Sequence, residues 1–198
     1  MTTYSDIRYD MGLSTSATGV GGMVLLATET ASSSDTIDFT SKIDSLYKEY
    51  IFKFINVHPA TDAAELSFQA NAAGGSGFDE TITSTYFRAA HNEADTAATL
   101  NYDANRDQAQ ATGFQEIASD VGNENDQSAS GYLHLFDPSS TTFTKHFILR
   151  SSVYIADTGA RDQFVAGYFN TTSAIDEIQF KMSSGNIDAG TFKMYGVL

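Results

Sequence analysis

The stretch TFTKHFILRSSVYIA, Thr142–Ala156, decides the fold. Its odd positions carry Phe143, Phe147, Leu149, Val153 and Ile155, interrupted only by Lys145 and Ser151. A period of two is the mark of a strand with one face buried, whereas an amphipathic helix would repeat its apolar residues every three to four. Working outward, the same alternation recurs. YKEYIFKFINVHP sets Tyr50, Phe52 and Phe54 on one face and Ile51, Lys53 and Ile55 on the other, and Pro59, which cannot donate to a ladder, ends it. ELSFQA turns Leu66, Phe68 and Ala70 inward, and the Gly-rich NAAGGSGFDE after it reads as a mobile hairpin tip. TITSTYFRAA, SGYLHLFDP, DQFVAGYFN, AIDEIQFKM and GTFKMYGVL complete the series, with Asp137–Ser140 supplying turn chemistry.

Between His91 and Gly122 the pattern blurs. The expectation there is a long loop crossing the sheet, with one short strand at FQEIAS. The last strand, FKMYGVL, is apolar on both faces, as an interior strand is. About ten strands at near-regular spacing, without a long helix, point to an all-β sandwich or barrel formed by a single domain over residues 1–198.

Composition narrows the function. The chain has 25 Asp and Glu against 11 Lys and Arg, a net charge of −14. That field repels phosphate backbones and anionic bilayers, so neither nucleic acid nor membrane is expected as a partner. With no Cys, disulfides, thiolate metal sites and Cys nucleophiles are all excluded. The opening MTTYSDIRYDMGLS has no basic segment followed by an apolar one, and MVLLA is too short to span a bilayer. The expectation is synthesis in a cytoplasm without standard export.

The search for chemistry is mostly negative. His58, His91, His134 and His146 belong to no metal or protease motif. YDANRDQAQATGF imitates a calcium loop at Asp103, Asn105 and Asp107, but Gln108 stands where a Gly is needed and Phe114 where a bidentate Glu is needed. SDVGNENDQS, with Asp120, Asn123, Asn125 and Asp126, has the composition to hold calcium, although acidic Asn-rich loops are mostly solvated turns. GVGGM at Gly19–Met23 lacks the strand and helix of a phosphate cradle. No catalytic, cofactor-binding or metal-binding residue is therefore assigned, no cofactor is expected, and the chain reads as a non-enzyme. The repeated triplet Arg-Asp-Gln, at Arg106–Gln108 and Arg161–Gln163, reads as coincidence.

Three stretches resemble structural proteins of tailed bacteriophages, especially those of marine bacteria. They are Tyr50–Gly75, Ser130–Phe147 and Gly167–Leu198. The closing pattern falls on Asn170, Ile175, Ile178, Gly185, Asn186, Gly190, Tyr195 and Gly196. The resemblance covers about three-quarters of the chain and implies a jelly-roll-like sandwich that oligomerises, as a homotrimer. It also implies a place on the virion surface, decorating the capsid or forming part of a tail or fibre, with capsid or tail proteins as partners. The first forty-odd residues match less well, and residues 1–35 are expected to form an extended docking segment. A second expectation is a receptor-recognition module for host surface glycan, with Tyr86, Tyr102, Tyr132, Tyr154 and Tyr168 as stacking platforms.

Overall fold

The computed structural model describes residues 22–198. Thirteen strands form, and no helix is present among the described residues. Eight of them make the frame: β1 (Met23–Ser34), β2 (Thr36–Phe39), β3 (Glu49–Pro59), β4 (Ala64–Ala72), β8 (Gln115–Val121), β9 (Ala129–Phe136), β12 (Ile175–Met182) and β13 (Ile187–Val197). Five more are inserted: β5 (Ile82–Asn92), β6 (Ala98–Tyr102), β7 (Ala109–Ala111), β10 (Lys145–Ile155) and β11 (Gly159–Phe169).

The frame strands pair in two antiparallel sets, β1-β13-β3-β9 and β2-β12-β4-β8. Along the chain the frame strands alternate between the two sets, save that the consecutive strands β4 and β8 pair within one set, and this is the double Greek key of a jelly roll. Only Asp35 separates β1 from β2, so the chain crosses between the sheets there. The inserted strands lengthen one sheet beyond β9, in the order β10, β11, β5, with β6 and β7 both on β5. The result is a large nine-stranded sheet facing a small four-stranded one. β10, in the middle of the large sheet, also meets the small one, pairing with β8 at Ile155 and Val121.

The core is a seam of phenylalanines between the layers. Phe68 of the small sheet lies 5.2 Å from Phe147 and 6.0 Å from Phe169 of the large one, edge-on in both cases. Phe180 reaches Phe192 and Phe52, and Phe39 reaches Phe52. Edge-to-face geometry suits the quadrupoles of the rings and adds to the burial itself.

Thr142–Ala156 behaves as its alternation requires over β10, where every odd residue from Lys145 to Ile155 is buried. The two polar interruptions are satisfied internally. Lys145 donates from Nζ to the carbonyls of Phe143 and Thr171 at 2.9 and 3.2 Å, and burial lowers its pKa. Ser151 donates to the Ile117 carbonyl at 2.5 Å.

Several expectations change. Phe143 is 70% exposed, because Ser140 Oγ accepts the amides of Thr142 and Phe143 and holds them in a turn before the strand starts. The Gly-rich segment after Ala72 is not a hairpin tip: β4 pairs with β8 and β12, and β5 with β11, so the segment crosses between sheets. Residues 91–122 are not one long loop, since β6 and β7 add to β5 before β8 joins the small sheet. Both short strands pair only with β5 and lack a second neighbour, so their apolar alternation is weak. The strands number thirteen in place of about ten. Of residues 1–35, the first twenty-one lie outside the described residues, and Met23–Ser34 are the edge strand β1.

Candidate functional site: the outer face of the large sheet

Eleven large apolar side chains stand exposed among the described residues. Eight of them, Met23, Leu25, Ile55, Phe87, Leu100, Tyr102, Tyr132 and Ile148, project from one surface, the side of the large sheet turned away from the core. Scattered exposed apolar residues need no explanation, but a concentration on one face marks a contact surface.

The register aligns this face into cross-strand rows. Lys193, Lys53, Tyr132, Arg150, Phe164, Phe87 and Tyr102 are successive partners across β13, β3, β9, β10, β11, β5 and β6. Beside them run Tyr195, Ile51, His134, Ile148 and Ala166. Ile51, although it points outward, is only 7% exposed beneath its row neighbours. Phe87 and Phe164 stack in parallel at 4.7 Å, and the Arg150 guanidinium lies 4.8 Å above Phe164. Asp162 holds that guanidinium with two hydrogen bonds, at 2.9 and 2.6 Å, so the pair is locally neutral and pre-set. His134 Nδ1 contacts the Glu49 carboxylate, which accepts, and the ring sits between those of Tyr132 and Phe136. A shallow, mainly apolar depression of about 480 Å³ runs past Phe136, His146, Ile148 and Tyr168.

Of the five tyrosines named as platforms, Tyr102, Tyr132, Tyr154 and Tyr168 lie on this face. Tyr86 does not. It is fully buried, donates to Gln163 Oε1 at 2.7 Å, and burial pushes its pKa up to about 12.

The inner side of the inserted strands holds the densest charge. Arg88, Arg106 and Arg161 meet Glu65, Asp103, Glu116 and Asp120 beside a cleft of about 530 Å³. Arg88 approaches Asp103 at 2.9 Å, Arg106 reaches Asp103 and Glu65 at 3.4 Å, and Arg106 also contacts Glu116. Burial pulls the Arg106 pKa down, but Glu116 and Asp120 outweigh it and hold the guanidinium charged. Burial also pushes the Glu116 pKa up, against the pull of Arg106. Arg106 and Arg161, the first residues of the two Arg-Asp-Gln triplets, both converge on Asp120.

This settles where the loop residues point. Asp103 is engaged by arginines and Asp107 accepts from the Tyr102 hydroxyl, so neither joins a calcium loop. Asp120 is turned to the arginines, while the amide of Asn123 is tied to Asp62 and Asn125 and Asp126 stand exposed. Among the described residues no three His, Asp or Glu side chains are grouped to hold a metal. Of the histidines, His58 contacts the Glu124 carbonyl, His91 contacts Asp95, and His134 and His146 sit on the outer face.

The outer face itself was invisible in any single segment. Its rows join residues from strands distant in sequence, and only the register assembles them. No protein-family model, no curated protein and no solved structure matches this chain.

Proposed function

We propose that the chain is a non-enzymatic structural protein of a bacteriophage virion, displayed on the particle and most simply decorating its capsid. It works by burying surface against its own copies and against the shell. The observation that carries this reading is the concentration of eight exposed apolar side chains on one sheet face, a surface suited to contact and not to chemistry. Two further considerations support it. The resemblance of Tyr50–Gly75, Ser130–Phe147 and Gly167–Leu198 to tailed-phage proteins names the setting. The jelly roll adds an argument by analogy alone, since capsid domains and lectins share it with other functions. The non-enzymatic part rests on the charged cluster, whose carboxylates are each engaged by an arginine.

Quantitative mass spectrometry of purified particles tests the reading. A copy number near that of the major capsid protein is expected. A few copies per particle would shift the assignment to a tail or fibre, and absence from the particle would end it.

A receptor-recognition role toward host glycan is the second reading, favoured by the four tyrosines on the outer face. Binding across a panel of host polysaccharides, lost in Tyr102→Ala and Tyr132→Ala, supports it; a silent panel removes it.

A further inference from the structure

We infer that two copies of this chain pair face to face through the outer surface of the large sheet, about a twofold axis parallel to the strands. This contact stands apart from the virion reading, because it is a property of the surface wherever the protein works.

The order of chemistry along the central row carries the inference. Beyond Thr28 of the edge strand β1, Lys193 and Lys53 occupy one side, Phe87 and Tyr102 the other, and Tyr132, Arg150 and Phe164 the middle. A twofold axis along the strands reverses the row of the second copy against the first. Lys193 then meets Tyr102, Lys53 meets Phe87, and Tyr132 meets Phe164. The lysines of each copy then lie over the aromatic end of the other and away from one another, and Tyr132 can meet the outward edge of the stacked Phe164 ring, an attractive edge-to-face geometry. Arg150 meets its own copy at the axis, and Asp162 already neutralises each of the two. An axis along the row instead would set Lys193 on Lys193 and Lys53 on Lys53, which is repulsive. The face is thus complementary to itself in one orientation, as an isologous interface must be. It does not call for a different patch on a neighbour, as a threefold ring would, so the homotrimer implied by the resemblance is not the assembly this face builds.

Size agrees. Seven strands spaced about 4.8 Å apart, with three or four outward residues along each at about 6.8 Å, span at most about 900 Å². A standard stable interface buries about 800 Å² on each partner. Two sheets laid face to face at a small angle are also a standard packing.

The chain lacks Cys, which makes a clean test available. Sedimentation equilibrium of the full chain is expected to give twice 21.4 kDa. Ile148→Glu, at an exposed position, should weaken the dimer by about 30-fold or more, as loss of a central anchor does, with the monomer's far-ultraviolet circular dichroism spectrum unchanged. Lys53→Cys and Phe87→Cys chains, mixed and treated with a short bifunctional thiol reagent, should cross-link to each other and not to themselves. A monomer at high concentration, a trimer, a dimer indifferent to Ile148→Glu, or Lys53→Cys linking to itself would each overturn the inference. Particle copy number is read independently, so failure of one proposal leaves the other standing.

Discussion

Tyr86 shows how a single buried hydroxyl sets an alkaline limit. Its pKa rises from 10.0 to about 12 because burial disfavours the phenolate. A group with a raised folded-state value contributes stability that is intact below the unfolded value and lost as pH climbs through the folded one. Unfolding free energy measured in urea should therefore decline between pH 10 and 12. Tyr86→Phe should remove part of that decline and cost about 1 kcal/mol at pH 7, the worth of one internal hydrogen bond. Gln163 Oε1 keeps its other donor, the Ser119 amide at 3.0 Å, so the loss stays modest. Lys145 acts in the opposite sense. Burial lowers its pKa, so its charge weighs against folding at neutral pH, and stability rises as alkali removes the proton.

At the scale of elements, β6, β7 and their connection are pinned to the jelly roll by charge, whereas β10 and β11 join the frame through the rings of Phe147 and Phe169. Arg106, in the connection from β6 to β7, reaches Glu116 and Asp120 on β8 and Glu65 on β4. Arg106→Met removes the cation and leaves the half-buried Glu116 without it. We expect a loss of about 2 kcal/mol, below the cost for a fully buried pair because the cluster is partly solvated. Hydrogen exchange should speed up in β6 and β7 while β3 and β13 stay protected. Phe68, fully buried and touching Phe147, Phe169 and Phe180, anchors the frame to β10 and β11. Phe68→Ala should cost about 3–5 kcal/mol in chemical denaturation, through lost burial and the cavity left behind.

For the whole molecule, net charge and contact face pull in opposite directions. Each chain carries −14, and two such bodies repel at long range, while the central row attracts at short range. Salt screens exposed charges over about 10 Å at 0.1 M and closer at higher concentration, so it weakens the repulsion more than the desolvated contacts. Pairing should strengthen as sodium chloride rises from low to moderate concentration, read as a falling dissociation constant in sedimentation. Weakening with salt would mean that ion pairs dominate the contact.

The alternation in Tyr47–Pro59, Thr142–Ala156 and Gly190–Leu198 determined the all-β class and which residues form the core, because strand periodicity is local and leaves a mark in any single segment. The interior place of the last strand was equally legible, since β13 pairs on both sides and is apolar on both. Residues 91–122 were not legible: β6 and β7 gain their ladder only from β5, and their own side chains are nearly all exposed. Nor could Tyr86 be told from Tyr102, two tyrosines in strands, until register placed one beneath the sheet and the other on top. The convergence of Arg106 and Arg161 on Asp120, and the row from Lys193 to Tyr102, join residues far apart in the chain. Pairing between distant strands fixes such neighbours, and it is set by the closure of the whole sandwich, so tertiary structure alone decided the charged cluster and the outer face.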